Sequence, residues 1–265
     1  MIEITMLLEN TAARGDMAAE HGLSLHIKAG GRSILFDMGQ TGAFADNAKT
    51  LGVDLAAVDT AILSHGHYDH GGGLARFLEI NDHAPVYVSR HAFGGYYSGG
   101  GAKYIGLDPA LRESGRLVLT GDVQAIGGGM TLLSCNDRPA AYPMSGRGLT
   151  ALREGEHAPD DFKHEQYLVM EDGARRVVIS GCSHKGVLNI VRWLEPDVLI
   201  GGFHYKGLDM QGADGAMVDK AAQQLLASGA DFYTCHCTGE EAFVRMKAAM
   251  GDRLTYLSGG MRIAL

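Results

Sequence analysis

His65-Gly66-His67-Tyr68-Asp69-His70 is the stretch that decides how this chain is read. Four metal-binding side chains fall within six residues, spaced H-x-H-x-D-H. Imidazole nitrogen and carboxylate oxygen suit zinc, iron or manganese. A tight loop of this length cannot turn all four side chains onto one ion. The natural arrangement puts His65 and His67 on one metal and Asp69 and His70 on a second. Two ions a few ångströms apart share and activate one water, so the pattern is a candidate hydrolytic site. A chance cluster is the competing reading, because the chain has 12 histidines. The flanks argue against it. Val58-Asp59-Thr60-Ala61-Ile62-Leu63 reads as an apolar strand ending at the motif. Gly71-Gly72-Gly73 follows, and Leu74-Ala75-Arg76-Phe77-Leu78 reads as a helix. The ligands therefore sit where a strand gives way to a helix, which is where α/β folds place their chemistry.

Working outward, 265 residues suffice for one large α/β domain with a substantial core. A net charge of -8 argues against nucleic acid as the main partner. No apolar run reaches the length needed to span a bilayer. Met1 to Asn10 lacks a basic segment followed by an apolar one and reads as a first strand. Four cysteines in so long a chain make no disulfide framework, and they cluster beside histidines. A reduced, cytoplasmic protein is the expectation.

Leu23 to Ala29 and Arg32 to Asp37 are β-rich runs joined by Gly30-Gly31, a hairpin signature. Phe44 to Leu51 is helical in pattern, and Pro85 to Ser89 reads as a strand. From Arg90 to Arg153 the character changes. Gly94 to Gly101 is too glycine-rich for regular structure, and Tyr142 to Gly148 reads as an exposed loop. Between them Arg116 to Thr120 and Met130 to Cys135 read as strands. The region, about 90–153, is expected to be a substrate-binding or lid insertion in a single domain spanning 1–265. Alternation then resumes. Gln166 to Glu171 and Arg175 to Ser180 read as hairpin strands, Asp197 to Gly201 and Asp231 to Cys235 as further strands. Val187 to Leu194, Ala213 to Ala227 and Glu240 to Met250 read as helices. Periodicity alone gives an α/β class.

Ser64-His65-Gly66-His67-Tyr68-Asp69-His70-Gly71-Gly72 resembles the central motif of the metallo-β-lactamase-fold hydrolases. Ile34-Leu35-Phe36-Asp37-Met38-Gly39 resembles the strand and Asp-x-Gly turn that precede it there. Gly181-Cys182-Ser183-His184-Lys185-Gly186, Gly201-Gly202-Phe203-His204 and Cys235-His236-Cys237-Thr238-Gly239 resemble a narrower, dihydropteroate-synthase-like branch associated with the methanopterin pathway. The resemblance runs from about Ile4 to His236. It implies an α/β (α+β) fold of four layers, αββα, with two divalent metal ions along one edge, zinc first and iron or manganese next.

A two-metal site needs more ligands than the motif supplies. His236 ends a short apolar strand, as its counterpart does in that family. Most of the family carries a bridging aspartate where this chain has Cys182. A thiolate is a good but softer zinc ligand, so Cys182 binds metal or is a small buried residue while His184 takes the ligand role. His164 and Glu165 precede the next strand and either bind metal or begin it in solvent. His204 sits at another strand end, placed to protonate a leaving group, hold a substrate oxygen or orient a ligand. Asp37 is expected to fix the orientation of a ligand imidazole. Packing is the expected role of Cys235 and Cys237, which flank His236.

Three readings follow. The first is a metal-dependent hydrolase of a small-molecule ester or phosphoester, with Asp69 binding one ion and orienting the hydroxide. The second, implied by the resemblance, is a transferase of the 7,8-dihydropterin-6-methyl-4-(β-D-ribofuranosyl)aminobenzene-5'-phosphate synthase type. Arg90, Lys103, Arg138 or Arg147 would then hold phosphates. No glycine-rich phosphate loop followed by Lys-Ser/Thr is present. The third is a non-enzymatic, metal-containing ligand sensor. An exported antibiotic hydrolase and an RNA-processing enzyme are disfavoured by the missing export signal and by net acidity. Oligomeric state is not written in the sequence.

Overall fold

The computed structural model describes residues 1–265. The chain opens with β1 (Glu3–Leu8), β2 (Ser24–Ala29) and β3 (Arg32–Phe36). The hairpin expected at Gly30-Gly31 forms, with Leu25 opposite Phe36 and Ala29 opposite Arg32. Both glycines take the positive φ that such a turn demands. Then come α1 (Ala43–Thr50), β4 (Thr60–Ile62), α2 (Tyr68–Gly71), α3 (Leu74–Ile80) and β5 (Val86–Ser89). The motif itself is partly helical, because Asp69 and His70 lie in the single turn of α2.

The stretch from Gly94 to Gly101 departs from the expectation of irregular structure. It contains β6 (Gly95–Ser98), followed by β7 (Lys103–Tyr104). A partner strand overrides the low intrinsic preference of its glycines: Gly95, Tyr96 and Tyr97 pair with Leu152, Ala151 and Thr150. Next are β8 (Leu117–Thr120), β9 (Val123–Gly127), β10 (Met130–Leu133), β11 (Thr150–Arg153) and β12 (Glu156–Pro159). The second half runs β13 (Tyr167–Asp172), β14 (Arg175–Ile179), α4 (Val187–Leu194), β15 (Val198–Gly201), α5 (Ala213–Ala227), β16 (Asp231–Thr234), α6 (Glu240–Met250), β17 (Leu254–Tyr256) and β18 (Arg262–Ala264).

Two seven-stranded sheets face each other. Their orders are β18-β1-β2-β3-β4-β5-β8 and β17-β16-β15-β14-β13-β10-β9. Each runs parallel on one side, β3 to β8 and β14 to β17, and antiparallel on the other. Three apolar layers bind the sandwich. Ile4, Leu25, Ile34 and Phe36 of the first sheet meet Leu132, Leu168, Ile179 and Ile200 of the second. Phe44 and Phe77, on α1 and α3, cover the outer face of the first sheet. Ile190, Val218 and Met246, on α4, α5 and α6, cover the second. The fold is therefore the four-layer αββα sandwich. It explains why Ile4 to Leu8 are all buried, since a strand lying between a sheet and helices has no solvent face.

A third, four-stranded sheet, β12-β11-β6-β7, stands at the edge of the sandwich. The segment 90–153 thus contributes β8, β9 and β10 to the main sheets and β6, β7 and β11 to the small one. No helix is long and apolar enough to cross a membrane.

Candidate metal centre

Parallel strands present their C-terminal ends along one edge, and the polar residues collect there. Asp37 follows β3, His65 and His67 follow β4, and Cys182 and His184 follow β14. His204 and His236 follow β15 and β16. Glycine shapes the crossing of the motif loop, because a Cβ on Gly66 would overlap the carbonyl oxygen of Ala92.

His65, Cys182 and His184 offer ligand atoms within 4.8 Å of one another, and so do Asp69, His70, Cys182 and His236. Cys182 belongs to both groups and lies between them. The His67 ring stands 4.6 Å from that of His65 and 4.9 Å from that of His184, while its own ligand atom lies within 4.8 Å of those of Asp160 and His164. All seven side chains are buried. The His204 ring lies 4.4 Å from that of His184, outside both groups and partly open to solvent.

Hydrogen bonds fix which nitrogen of each imidazole faces inward. Ser64 Oγ donates to Asp37 Oδ2 (2.7 Å), so at 2.8 Å it accepts from His65 Nδ1. His184 Nδ1 faces the carbonyl oxygen of Ser145 at 3.4 Å. His236 Nδ1 donates to Asn10 Oδ1 (2.9 Å), whose amide is oriented by donation from Nδ2 to His236 O. In each case the proton sits on Nδ1 and the lone pair on Nε2. His65 Nε2 and His184 Nε2 then face each other at 3.3 Å, and His236 Nε2 faces Asp69 Oδ2 at 3.3 Å. Lone pairs at such distances repel unless a cation stands between them. His67 Nε2 and His236 Nε2 are buried with no hydrogen-bond partner. Orphaned buried nitrogens of this kind fit a metal well.

The electrostatics agree with this arrangement. Burial, reinforced by neighbouring imidazoles, holds His65 and His67 far below the ordinary range and takes His184 to about 3. Burial also lowers His236 to about 3, against the opposing pull of Asp69. These rings are neutral at pH 7, the form that binds metal. His70 is the exception. Burial opposes its charge, but Asp37 and Asp69 outweigh burial and push it up to about 9. Its Nδ1 donates to Asp37 Oδ2 (2.6 Å) and its Nε2 faces Cys182 Sγ (3.1 Å). Burial raises the Cys182 thiol well above its usual range. That outcome reverses when a cation sits beside the sulfur.

His164, left open by the sequence, has no lone pair to give. Its Nδ1 accepts from Gly66 N (2.9 Å), so its proton is on Nε2, which faces Asp160 Oδ2 at 3.1 Å. It braces the motif loop between His65 and His67. Glu165 is fully buried and does not begin its strand in solvent. Its carboxylate accepts from His184 N (2.6 Å), Lys185 N (3.0 Å) and Tyr167 Oη (2.6 Å), gripping the turn that carries His184. Lys185 Nζ, buried beneath it, donates to Ser134 O and Asn136 Oδ1. Cys235 packs in the core between the sheets. Cys237 is buried in the turn after β16, with Sγ 3.5 Å from Cys182 O, and belongs to neither group of candidate ligands.

Sequence reasoning missed His21, Glu9 and Asn10. His21 stacks on His236 with ring centroids 4.9 Å apart and reaches Asp69 Oδ2 at 3.3 Å, its side chain 44% exposed. Glu9 accepts from His236 N (3.1 Å). These residues lie far from the motif in sequence, and only the strand order brings β1 and its loop to the same edge.

The model of the metallo-β-lactamase superfamily matches residues 19–202. This chain belongs to the metallo-β-lactamase superfamily. An uncharacterized protein of Methanocaldococcus jannaschii is 29% identical over 255 residues, spanning 92% of this chain and 93% of that protein. A second protein of the same organism is named 7,8-dihydropterin-6-methyl-4-(beta-D-ribofuranosyl)-aminobenzene-5'-phosphate synthase. It is 28% identical over 269 residues, 91% of this chain and 89% of its own. Among solved structures, Tm1679, a metal-dependent hydrolase of the β-lactamase superfamily, superposes with a TM-score of 0.82 at 27% identity. The match covers 100% of this chain and 99% of that one. The metallo-β-lactamase-fold protein YhfI from Bacillus subtilis, at a TM-score of 0.61 and 15% identity, covers 99% of this chain and 98% of its own and shares the fold. The superfamily is mostly metal-binding hydrolases, and this member carries His, Asp and Cys groups able to hold metal.

Proposed function

We propose that this protein is a metal-dependent hydrolase of a small-molecule ester or phosphoester, with a dinuclear site in which zinc is the favoured ion. His65, His67 and His184 would hold one ion and Asp69, His70 and His236 the other, with Cys182 between them. The observation that carries this reading is the convergence of Nε2 lone pairs, two of them 3.3 Å apart, from rings whose Nδ1 protons are already committed. When bound, two such ions lower the pKa of a shared water and take up negative charge from the attacked centre.

The chain's own residues do the rest. Asp37 and Ser64 hold His70 and His65 in one orientation, so the ligand atoms need no rearrangement. Asp69 keeps its charge at working pH: burial opposes ionisation, but His70 and His236 outweigh it and hold the carboxyl well below its usual range. It is suited to accept a hydrogen bond from the attacking water. Burial beside His184 takes His204 down to about 3, so His204 is neutral and acts as an N–H donor to a substrate oxygen. The small sheet and the Tyr142–Gly148 loop wall the site, which makes the region about 90–153 the proposed substrate-binding lid. A small molecule is the expected partner.

The test is elemental analysis of untagged protein purified without chelator, then a screen of phosphomonoesters, phosphodiesters, thioesters and lactones. About two ions per chain and turnover of one ester class are expected. The double variant His67→Ala/Asp69→Ala should lose most metal and all turnover; full activity in it would sink the reading. Two ions without turnover would favour a transferase, which the name of the 28% identical relative also supports. That reading would be checked with a pterin methyl diphosphate and an arylamine.

A further inference from the structure

Arg90, Lys103, Arg138 and Arg147, the four cations suited by sequence to hold phosphate, have different surroundings. Arg138 is committed to the carbonyl oxygen of Trp193. Arg147 pairs with Asp214 at 3.3 Å, and Arg90 packs against Gly121. Arg153 and Lys163, in and just after the small sheet, both pair with Asp161. Lys103 differs. It is exposed on β7 with no carboxylate partner, and its Nζ stands 5.0 Å above the Tyr68 ring and 3.4 Å from Tyr68 Oη. Tyr68 lies inside the metal motif, and its N donates to Ile105 O (2.9 Å), which ties β7 to the motif loop.

Lys206 stands beside the turn that carries His236. Its backbone N donates to Cys237 O (2.9 Å), so the residue is locked beside His236. It lines a cavity of about 520 Å³ shared with Asn10 and His236. Gly239 makes the approach achievable: at φ +76°, it leaves bare the space where a Cβ would press on Cα, Cβ and Cγ of Lys206. Glu240 and Glu241 line the same cavity, but both are exposed and neither pairs with Lys206.

We propose that Lys103 and Lys206 form an anion clamp across the mouth of the metal well, selecting substrates that carry a phosphate or diphosphate group. This deepens the hydrolase reading by naming its substrate class, and it rests on that reading. Two flexible ammonium groups, one by Tyr68 of the motif and one by the His236 turn, suit a compact dianion with several oxygens, which each contacts as a point charge. On a protein whose net charge is -8, the pair also supplies the local positive field that draws an anion to the site. Small neutral esters would lack this attraction.

The test is calorimetric titration of inorganic phosphate, and separately pyrophosphate, into metal-loaded wild type, Lys103→Ala, Lys206→Ala and the double variant, with metal content measured in each. Unchanged metal content is expected, with affinity falling in each single variant and by about tenfold or more in the double variant. A Lys103→Arg/Lys206→Arg protein should stay close to wild type, and added salt should weaken wild type more than the double variant. Equal phosphate affinity in wild type and double variant would overturn the clamp, as would absence of phosphate binding by metal-loaded wild type. The metal-free protein is titrated in parallel. Lysine-dependent binding there keeps the clamp even if no metal chemistry is found, so the two readings fail separately.

Discussion

His70 gives the centre a measurable pH signature. Held at about 9 by Asp37 and Asp69 against its burial, it keeps a proton that an unfolded histidine releases near 6.5. A raised folded pKa means stability fully present below 6.5 and lost as pH climbs through 9. The difference corresponds to about 3 kcal/mol, of which about 2 kcal/mol disappears between pH 6.5 and 8.5. The assay is urea denaturation of chelator-stripped protein across that window. Its limits are set by the other groups. His184, His204 and His236 are depressed to about 3, so their contribution is lost only as pH falls below 6.5. Burial raises Cys182 and Cys235 well above their usual range, and Cys135 to about 11, so these thiols begin to destabilise as pH nears about 8.5 and add a smaller loss, roughly 0.4 kcal/mol each, at the top of the window. Metal-loaded protein should show no such loss, because a metal on His70 Nε2 replaces the proton. Asp37→Asn should flatten the slope in stripped protein while lowering stability overall. Stability of stripped wild type that stays level or rises from pH 6.5 to 8.5 would refute the reasoning, as would an unchanged slope in Asp37→Asn.

Three further outcomes are expected. Cys182→Asp exchanges a proposed soft ligand for a hard one, so competition experiments should show preference moving from zinc towards manganese or iron; an unchanged preference would remove Cys182 from the proposed ligand set. Glu165→Gln places an amide against the N–H of His184 or Lys185, and titration of the first ion should show about 10–100-fold weaker binding, with the second ion less affected. Gly66→Ala drives a methyl into Ala92 O, and the urea midpoint should fall by the equivalent of about 3 kcal/mol, together with loss of metal.

The legible part of this protein was its local part. The motif from His65 to His70 is one contiguous run with an apolar strand before it, and Val187–Leu194, Ala213–Ala227 and Glu240–Met250 carry helical periodicity over two turns or more. The illegible part depends on contacts across the sandwich. β6 becomes a strand because β11 and β7 pair with it on either side. His164 loses its claim to metal only because Gly66, 98 residues away, donates to it. Glu9, Asn10 and His21 enter the site only because β1 and β16 end at the same edge, 226 residues apart at the Asn10–His236 contact. Cys182 and His184 share one turn, and nothing in the spacing tells which of them points inward; in the structure both do.

That last result has a backbone cause. Ser183, between Cys182 and His184, has φ 57°, and Asp37, His204 and His236 have φ 59°, 56° and 51°. Non-glycine residues in this left-handed region cost about 1 kcal/mol or more each. Four of them stand at the strand ends that build the centre. Ser183 is followed directly by the inward-facing His184, and at Asp37, His204 and His236 the residue with positive φ is itself the one that reaches the centre. The surrounding bonds over-determine these turns: Asp37 accepts from Ser64 N (2.7 Å), His184 N is gripped by Glu165, and His236 N by Glu9. Buried carboxylates thus anchor three turns of the candidate centre through backbone N–H groups, independently of the imidazoles proposed to hold metal. The strain is held by the scaffold and not by the ion. It follows that chelation should leave the ligand geometry standing and metal uptake should be rapid, without a folding phase, which stopped-flow mixing of stripped protein with zinc would check. A slow uptake phase sharing the rate of refolding would show that the ion, and not the carboxylates, sets these turns.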